Sequence, residues 1–371
     1  MRDAEVVVVG AGAAGLALAC LLGEQGGVQL VLVDAPPGPA RSPDRTWCSW
    51  QSGPTGWEEA VRFRWHRVQV HAPDGAARTY DLAPLDYTMI RSRDYERVAQ
   101  ERLVRAGVER IEALVSRITA DGRVEGADVR GRWVFDTRPT SPARRGRVAL
   151  LQHFRGWTVR TAQDRFDPSV AGLMDFRPPQ PRGGVAFGYV LPTSPREALV
   201  EYTEFSRSVL TDEAYESALD DWTGGVLELG SFEVLAVEQG AIPMTDAPFP
   251  RRVSDRVFRL GAAGGATRPS TGYTFSAAQR QARAVAAALR EGGDPEPPAA
   301  YSSRHLRMDA LLLRAIDGGL LDGAAFLARL FERQPVERVL RFLDGSTSLR
   351  EDLAVMASAP PAPMLRALLA R

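Results

Sequence analysis

The stretch Val6 to Leu22, VVVVGAGAAGLALACLL, decides the fold. Four valines run into Gly10-Ala11-Gly12-Ala13-Ala14-Gly15, and a small-residue helix follows. This predicts a strand, a tight glycine turn and a helix N-terminus. Gly10 makes the turn, Gly12 leaves the backbone bare for a pyrophosphate, and Gly15 lets helix and strand approach. The backbone N–H groups of Gly12, Ala13 and Ala14 then face the phosphates with the positive end of the helix dipole. A second strand, Val28 to Val33, runs into Asp34, at the spacing of a carboxylate that binds ribose hydroxyls. Together these elements predict dinucleotide binding.

The chain of 371 residues suits one large or two joined domains. Its formal net charge is zero, so bulk electrostatics offer no reason for a nucleic-acid partner. Cys20 and Cys48 are the only cysteines, which excludes a disulfide framework or a cysteine-rich metal site, and no metal site is expected. All 46 basic residues are arginine. Chemistry that needs a lysine amine, such as a Walker A loop or a pyridoxal Schiff base, is therefore excluded. No apolar run reaches the length of a membrane span, and the first residues enter a strand at once. The expected location is the reducing cytoplasm.

After Asp34 a proline- and glycine-rich segment leads to Asp44-Arg45-Thr46-Trp47-Cys48-Ser49-Trp50. It reads either as a packed surface loop or as a cofactor-covering loop whose aromatics line an apolar cavity. Phe63 to Val70 and Thr79 to Leu82 read as strands. His66 and His71 would point to opposite faces of one strand, which disfavours a metal pair. Tyr87 to Arg91 is a short strand, and Asp94 opens a helix through Arg105. Arg91, beside that helix start, is either a cofactor contact or a solvated arginine.

Gly107 to Arg117 and Arg123 to Asp136 read as strands, and Thr140 to Arg147 as a crossing between domains. The next stretch is rich in β-structure: Gln152 to Val159, Leu173 to Arg177, and a hairpin of Gly184 to Leu191 with Ala198 to Phe205. In its second arm Leu199, Glu201, Thr203 and Phe205 share a face. If that face is internal, burial keeps Glu201 protonated near neutrality, a usable general acid. If it is not, Glu201 is a rim carboxylate. Thr211 to Trp222 reads as an amphipathic helix and Phe232 to Pro243 as a strand pair.

A second strand–glycine loop–helix unit runs from Arg256 through Gly261, Gly264 and Pro269-Ser270-Thr271-Gly272-Tyr273 to a helix at Thr274 to Arg290. In FAD proteins with an N-terminal Rossmann motif, a late loop of this kind approaches the ribityl chain and ring, and an NAD-only fold has no need of it. The dinucleotide is therefore expected to be FAD. The fold class is α/β: a Rossmann-type FAD-binding domain with an interleaved β-sheet substrate domain and a helical C-terminal cap. The boundaries are 1–150 and 251–298 for the FAD-binding part, 151–250 for the substrate part and 299–371 for the helical region. Leu306 to Ala315, Leu320 to Phe331 and Pro335 to Leu343 carry apolar stripes. They form either a cap packed on the sheet or an interfacial surface that takes an apolar substrate from a membrane.

Taken together, the motifs resemble the FAD-dependent lycopene cyclases, in the bacterial β-cyclase branch. The marks include GAGAAGLALA, Asp44-Arg45-Thr46-Trp47, Tyr87 to Arg91, Gln152-His153-Phe154 with Gly156-Trp157, Leu173 to Arg177, Val200-Glu201-Tyr202-Thr203, and Pro269 to Tyr273. The resemblance implies a redox-neutral reaction. A carboxylic acid protonates the terminal double bond of a linear polyene, an internal double bond closes a six-membered ring on the cation, and a neighbouring proton is lost. It implies reduced FAD as the active cofactor, NADPH as electron donor, an apolar isoprenoid substrate and peripheral contact with the inner face of the membrane. It maps the acid onto Glu201, substrate contacts onto Trp47, Asp175, Thr203 and Thr271, and cofactor contacts onto Gly10, Gly12, Ala13, Ala14, Gly15, Asp34, Arg91, Gly261, Gly264, Gly272 and Tyr273.

Two residues depart from related patterns. Tyr202 stands where the cyclase motif often has a second acid, and Ala262 stands where many FAD monooxygenases have aspartate after the glycine. The alternative enzymes are a related isoprenoid or meroterpenoid cyclase and an FAD monooxygenase or epoxidase on an apolar substrate, and a flavin-binding carotenoid carrier is the alternative outside catalysis.

Overall fold

The structure, a computed structural model, describes residues 1–41 and 43–369. Strand β1 (Arg2–Val9) enters helix α1 (Ala13–Gln25), and β2 (Leu30–Asp34) follows. Next come β3 (Thr46–Gln51), β4 (Val61–Trp65), β5 (Arg67–His71), β6 (Ala77–Asp81), β7 (Asp86–Arg91) and α2 (Ser92–Arg105). Four further strands complete this half: β8 (Glu109–Glu112), β9 (Arg117–Ile118), β10 (Arg123–Glu125) and β11 (Val129–Asp136). The central region holds β12 (Ala149–Thr161), β13 (Val170–Asp175), β14 (Val185–Pro192), β15 (Glu197–Ser206), α3 (Asp212–Asp221) and β16 (Phe232–Thr245). Then β17 (Val257–Arg259) leads through a short 3-10 turn to α4 (Phe275–Arg290). Five helices follow among the described residues: α5 (Ser303–Asp317), α6 (Gly323–Arg333), α7 (Val336–Leu343), α8 (Leu349–Met356) and α9 (Pro361–Leu369).

The first sheet has the order β8-β2-β1-β11-β10-β9, with β17 pairing β11. Its members β8, β2, β1, β11 and β17 run parallel. Such a sheet is buried on both faces, which explains the unbroken valines of β1. Val6 and Val8 pack toward α1, α2 and α4, and Val7 and Val9 toward the opposite face.

The second sheet, β16-β12-β15-β14-β13-β5-β6, is antiparallel except for β13 beside β5. One face packs on α3 through Val200, Tyr202 and Trp222. The other carries Leu199, Phe205, Phe187 and Tyr189 against the C-terminal helices. The two faces of β15 therefore divide as the alternation predicts. A small sheet, β3-β7-β4, joins the two larger ones. The chain thus has the α/β class expected, with a Rossmann-type part, a β-sheet part and a helical C-terminal region.

Three local expectations are corrected. Thr46 to Gln51 is a strand paired with β7, because its alternating aromatics find a partner along their whole length. The segment read as one strand from Phe63 to Val70 breaks at His66 into β4 and β5, which serve different sheets. The strand pair read over Phe232 to Pro243 is one long strand, β16, lying antiparallel to β12 across almost its full length.

Candidate active site

The phosphate end is built by the glycines. Gly10 has φ +99°, and a side chain at Gly15 would lie 1.9 Å from the Gly10 carbonyl oxygen, so neither tolerates a Cβ. Gly12 has no protein atom within 4 Å of where its Cβ would stand. That open space lies at the start of α1, which has no side-chain cap and no acidic residue in its first turn. Free N–H groups facing a bare cradle suit a pyrophosphate. Asp34 accepts a 3.1 Å hydrogen bond from the Ala11 N–H and pairs with Arg41 and Arg110 at 3.2 and 3.3 Å.

The late glycine loop meets this cradle. A Cβ on Gly261, where φ is +69°, would stand 2.5 Å from the Ala14 Cβ. A Cβ on Gly264 would strike the Arg259 carbonyl oxygen at 2.3 Å. At Gly272, with φ +70°, it would meet the Gln152 Oε1 at 2.3 Å. The Gln152 Oε1 and the Tyr273 hydroxyl are buried without a hydrogen-bond partner among the described residues. Helix α4 begins two residues beyond Tyr273, also uncapped and without an acid in its first turn. Unsatisfied buried polar atoms beside a bare helix N-terminus call for a polar ligand. The cradle, Asp34 and this loop together fit a flavin dinucleotide.

Glu201 lies on β15, opposite Gly156 of β12 on one side and Tyr189 of β14 on the other. Its Oε1 accepts a 3.1 Å hydrogen bond from the Thr203 hydroxyl. Beyond Gly156 the next residue in the row is Glu238 of β16. Since Gly156 has no side chain, the two glutamates reach one another across it. Burial first, then the charge and hydrogen bond of Glu238, push the Glu201 carboxyl well above the usual carboxylate range. Burial raises Glu238 and Asp44 adds to that, but the Thr46 hydroxyl, Glu201 and the nearby Arg91 favour its ionised form. Thr46 donates to Glu238 Oε2 at 2.8 Å. Glu201 is therefore the member that keeps the proton.

An apolar cavity of about 260 Å³ begins one residue away. Tyr189 and Tyr273 line it, and it lies between the second sheet and α5 to α7, with Leu312, Leu327 and Phe342 in its wall. Met356, Pro361 and Met364 line it at α8 and α9. Glu201 is not part of its lining and lies behind Tyr189 in the β14–β15 register. Glu201 still keeps accessible surface of its own. A cavity lined mainly by apolar side chains suits an apolar ligand.

The remaining expected residues divide. Thr271 lines the cavity and donates to the Leu343 carbonyl at 3.3 Å, and Tyr273 lines it too. Thr203 touches Glu201. Trp47 lies outside the cavity lining, stacked on Phe275 with centroids 5.5 Å apart and edge-on to Tyr95. Asp175 is also outside it, buried and holding Arg177 and the Trp222 indole N–H at 2.6 and 3.1 Å. Arg91 ends β7 beside Thr46, its register partner, and faces Glu238. Sequence reasoning missed Glu238 because β16 was read as a hairpin. Read as one strand paired with β12, Glu238 falls opposite Gly156.

The fold and site define a class. Solved structures that superpose on nearly the whole chain include flavin-dependent enzymes. One is a geranylgeranyl bacteriochlorophyll reductase-like protein from Thermoplasma acidophilum, with TM-score 0.67 and 15% identity, covering 99% of this chain and 98% of that one. Another is p-nitrophenol 4-monooxygenase PnpA from Pseudomonas putida, with TM-score 0.63 and 19% identity, covering 94% and 100%. A third is the flavin-dependent brominase Bmp2, with TM-score 0.59 and 16% identity, covering 96% and 98%. At these identities the likeness is one of fold. No curated protein matches the chain by sequence. The profile of the family described as Lycopene cyclase protein matches residues 5–369, and the chain belongs to that family.

Proposed function

We propose that this protein closes the linear end of lycopene to a β-ionone ring, without net redox change, with FAD bound in its reduced form and NADPH as the electron donor. The observation that carries this reading is Glu201, whose carboxyl is held well above the usual carboxylate range by burial and by Glu238, next in register to Tyr189 in the wall of an apolar cavity. A neutral carboxyl group can give a proton to an alkene only where water does not compete for the cation that results.

Glu201 gives its O–H proton to the terminal double bond, with Thr203 orienting the carboxyl. An internal double bond closes the ring on the cation, and a proton leaves the neighbouring carbon to the carboxylate pair or to solvent, so that none is consumed. The cavity walls hold the chain folded for ring closure and keep water from the cation, and the rings of Tyr189 and Tyr273 offer it π faces. When bound, reduced flavin supplies fixed negative charge near the cation. Gly12, Asp34 and the Gly261 to Tyr273 loop would hold it. Ala262 leaves out the carboxylate that many monooxygenases place there, which favours the cyclase over hydroxylation.

The substrate partitions into lipid, and the α8–α9 part of the cavity wall includes the exposed Met356. Leu349 and Leu353 of α8 and Leu365 and Leu368 of α9 are each more than half exposed. This surface suits peripheral contact with a bilayer, and no helix among the described residues is long and apolar enough to cross one. Flotation with lycopene-loaded liposomes tests this, and Leu353→Glu with Leu365→Glu should abolish co-flotation while leaving the fold intact.

The test of the reaction is Glu201→Gln. It should leave flavin binding unchanged and remove cyclisation, and retained cyclisation would sink the assignment. Oxygen uptake stoichiometric with product would instead identify a monooxygenase.

A further inference from the structure

We propose that Glu201 and Glu238 share a single proton across Gly156, which makes Glu238 a positioning residue for the acid and gives position 156 its need for glycine. The inference rests on the reading of Glu201 as the acid.

The geometry comes from the sheet. Glu201, Gly156 and Glu238 occupy one row across β15, β12 and β16. Directly opposed residues of an antiparallel pair project to the same face, so in most rows the middle side chain would separate the outer two. Here there is none. A Cβ at Gly156 would stand 3.2 Å from the Glu201 Cβ, 3.3 Å from its Cγ and 3.0 Å from the Leu199 Cδ1. It would therefore occupy the gap through which the carboxyls meet. The backbone does not demand glycine, because Gly156 is not among the residues with positive φ.

The outer ends of the pair are fixed differently. Glu201 takes one hydrogen bond, from Thr203. Glu238 takes one from Thr46, and Arg91 lies on the same side. The other groups facing the pair are Cys48 of β3, Tyr189 of β14 and Asp44 before β3. Cys48 and Tyr189 are themselves pushed up by burial, so both are neutral; Asp44 opposes the ionised form of Glu238, and Arg91 with the Thr46 hydroxyl favours it. Two like charges this close are not both ionised. The positive charge and the hydroxyl on the outer side leave the negative charge on Glu238 and the proton on Glu201. Such a pair titrates as a unit, with its upper step moved to high pH.

The test is a pH series on the flavin-loaded protein with two readouts. The first is the infrared band of the protonated carboxyl group, recorded without substrate and assigned by its loss in Glu201→Gln. The second is the alkaline limb of the cyclisation rate. Glu238→Gln removes the repelling charge, so the band and the limb should both move to lower pH by about one unit or more. Gly156→Ala should move them in the same direction, and Glu238→Asp should fall between Glu238→Gln and the parent.

Glu238 is partly exposed, so its variants keep the inference testable if Gly156→Ala fails to fold. A band that stays in place in Glu238→Gln overturns the shared proton, whatever the substrate proves to be. A band that moves in a protein that does not cyclise lycopene upholds the pair and rejects the substrate assignment.

Discussion

Thr203 donates a 3.1 Å hydrogen bond to Glu201 from two residues along the same face of β15. That bond fixes the carboxyl and favours its ionised form, against burial and Glu238, which favour the neutral one. The acid works while protonated, so cyclisation is present below its raised ionisation and lost as pH rises through it. In Thr203→Val the ionised form loses support, and the alkaline limb should move to higher pH. The plateau rate should fall about five- to tenfold, the worth of one hydrogen bond. A pH–rate profile checks both signs, which are opposite in direction to those expected for Glu238→Gln.

Gly12 and Gly15 should separate fold from cofactor. Alanine at Gly15 collides with the Gly10 carbonyl oxygen, a backbone atom that cannot move aside, so Gly15→Ala should not give folded protein. Alanine at Gly12 meets no protein atom, and φ there is −81°. Gly12→Ala should keep the far-ultraviolet circular dichroism and melting temperature of the parent apoprotein, and lose flavin on gel filtration. Full flavin retention in Gly12→Ala would show that the pyrophosphate does not lie against that backbone.

The framework was legible in the sequence where local chemistry repeats. The valines of β1 and the glycines after them need no distant residue to be read. The faces of β15 also follow from alternation alone. What could not be read depends on partners far along the chain. Glu238 gains meaning only once β16 is laid beside β12, more than 80 residues earlier, and Gly156 only once Glu201 and Glu238 flank it. Trp47 and Asp175 show the converse. Their residue types suit a substrate site, yet Trp47 packs between α2 and α4, and Asp175 anchors Arg177 and Trp222. The cavity drew most of its wall from helices whose apolar stripes read equally well as packing.

The outer part of the cavity can be closed without disturbing the site. Ala359 lines it and keeps part of its surface exposed. Ala359→Trp should leave the flavin spectrum and melting temperature unchanged, and lower kcat/KM for a long polyene at least about tenfold. A short soluble isoprenoid with the same end group should be affected less. Equal losses for both substrates would place the entry path elsewhere.

Asp309, in the wall of the same cavity, forms a buried ion pair with Arg268 behind it. The Arg268 Nη2 lies 3.0 Å from Asp309 Oδ1, and the Ser270 hydroxyl donates to the same oxygen at 2.7 Å. Both charged groups are sealed from solvent. Asp309→Ala strands the guanidinium, at a cost of about 3–5 kcal/mol. Replacing both partners, as Arg268→Met with Asp309→Leu, should recover most of that loss. Chemical denaturation of the parent, the single and the double variant measures the difference.

The most direct measurement is an anaerobic incubation of the FAD-loaded protein with lycopene in liposomes, the flavin reduced by dithionite, beside the Glu201→Gln variant. The account predicts a cyclic product of unchanged mass from the parent protein and unreacted lycopene from the variant, with flavin bound and reduced in both. Cyclic product from the variant as well, or a product from the parent that forms only with oxygen and gains its mass, would contradict it.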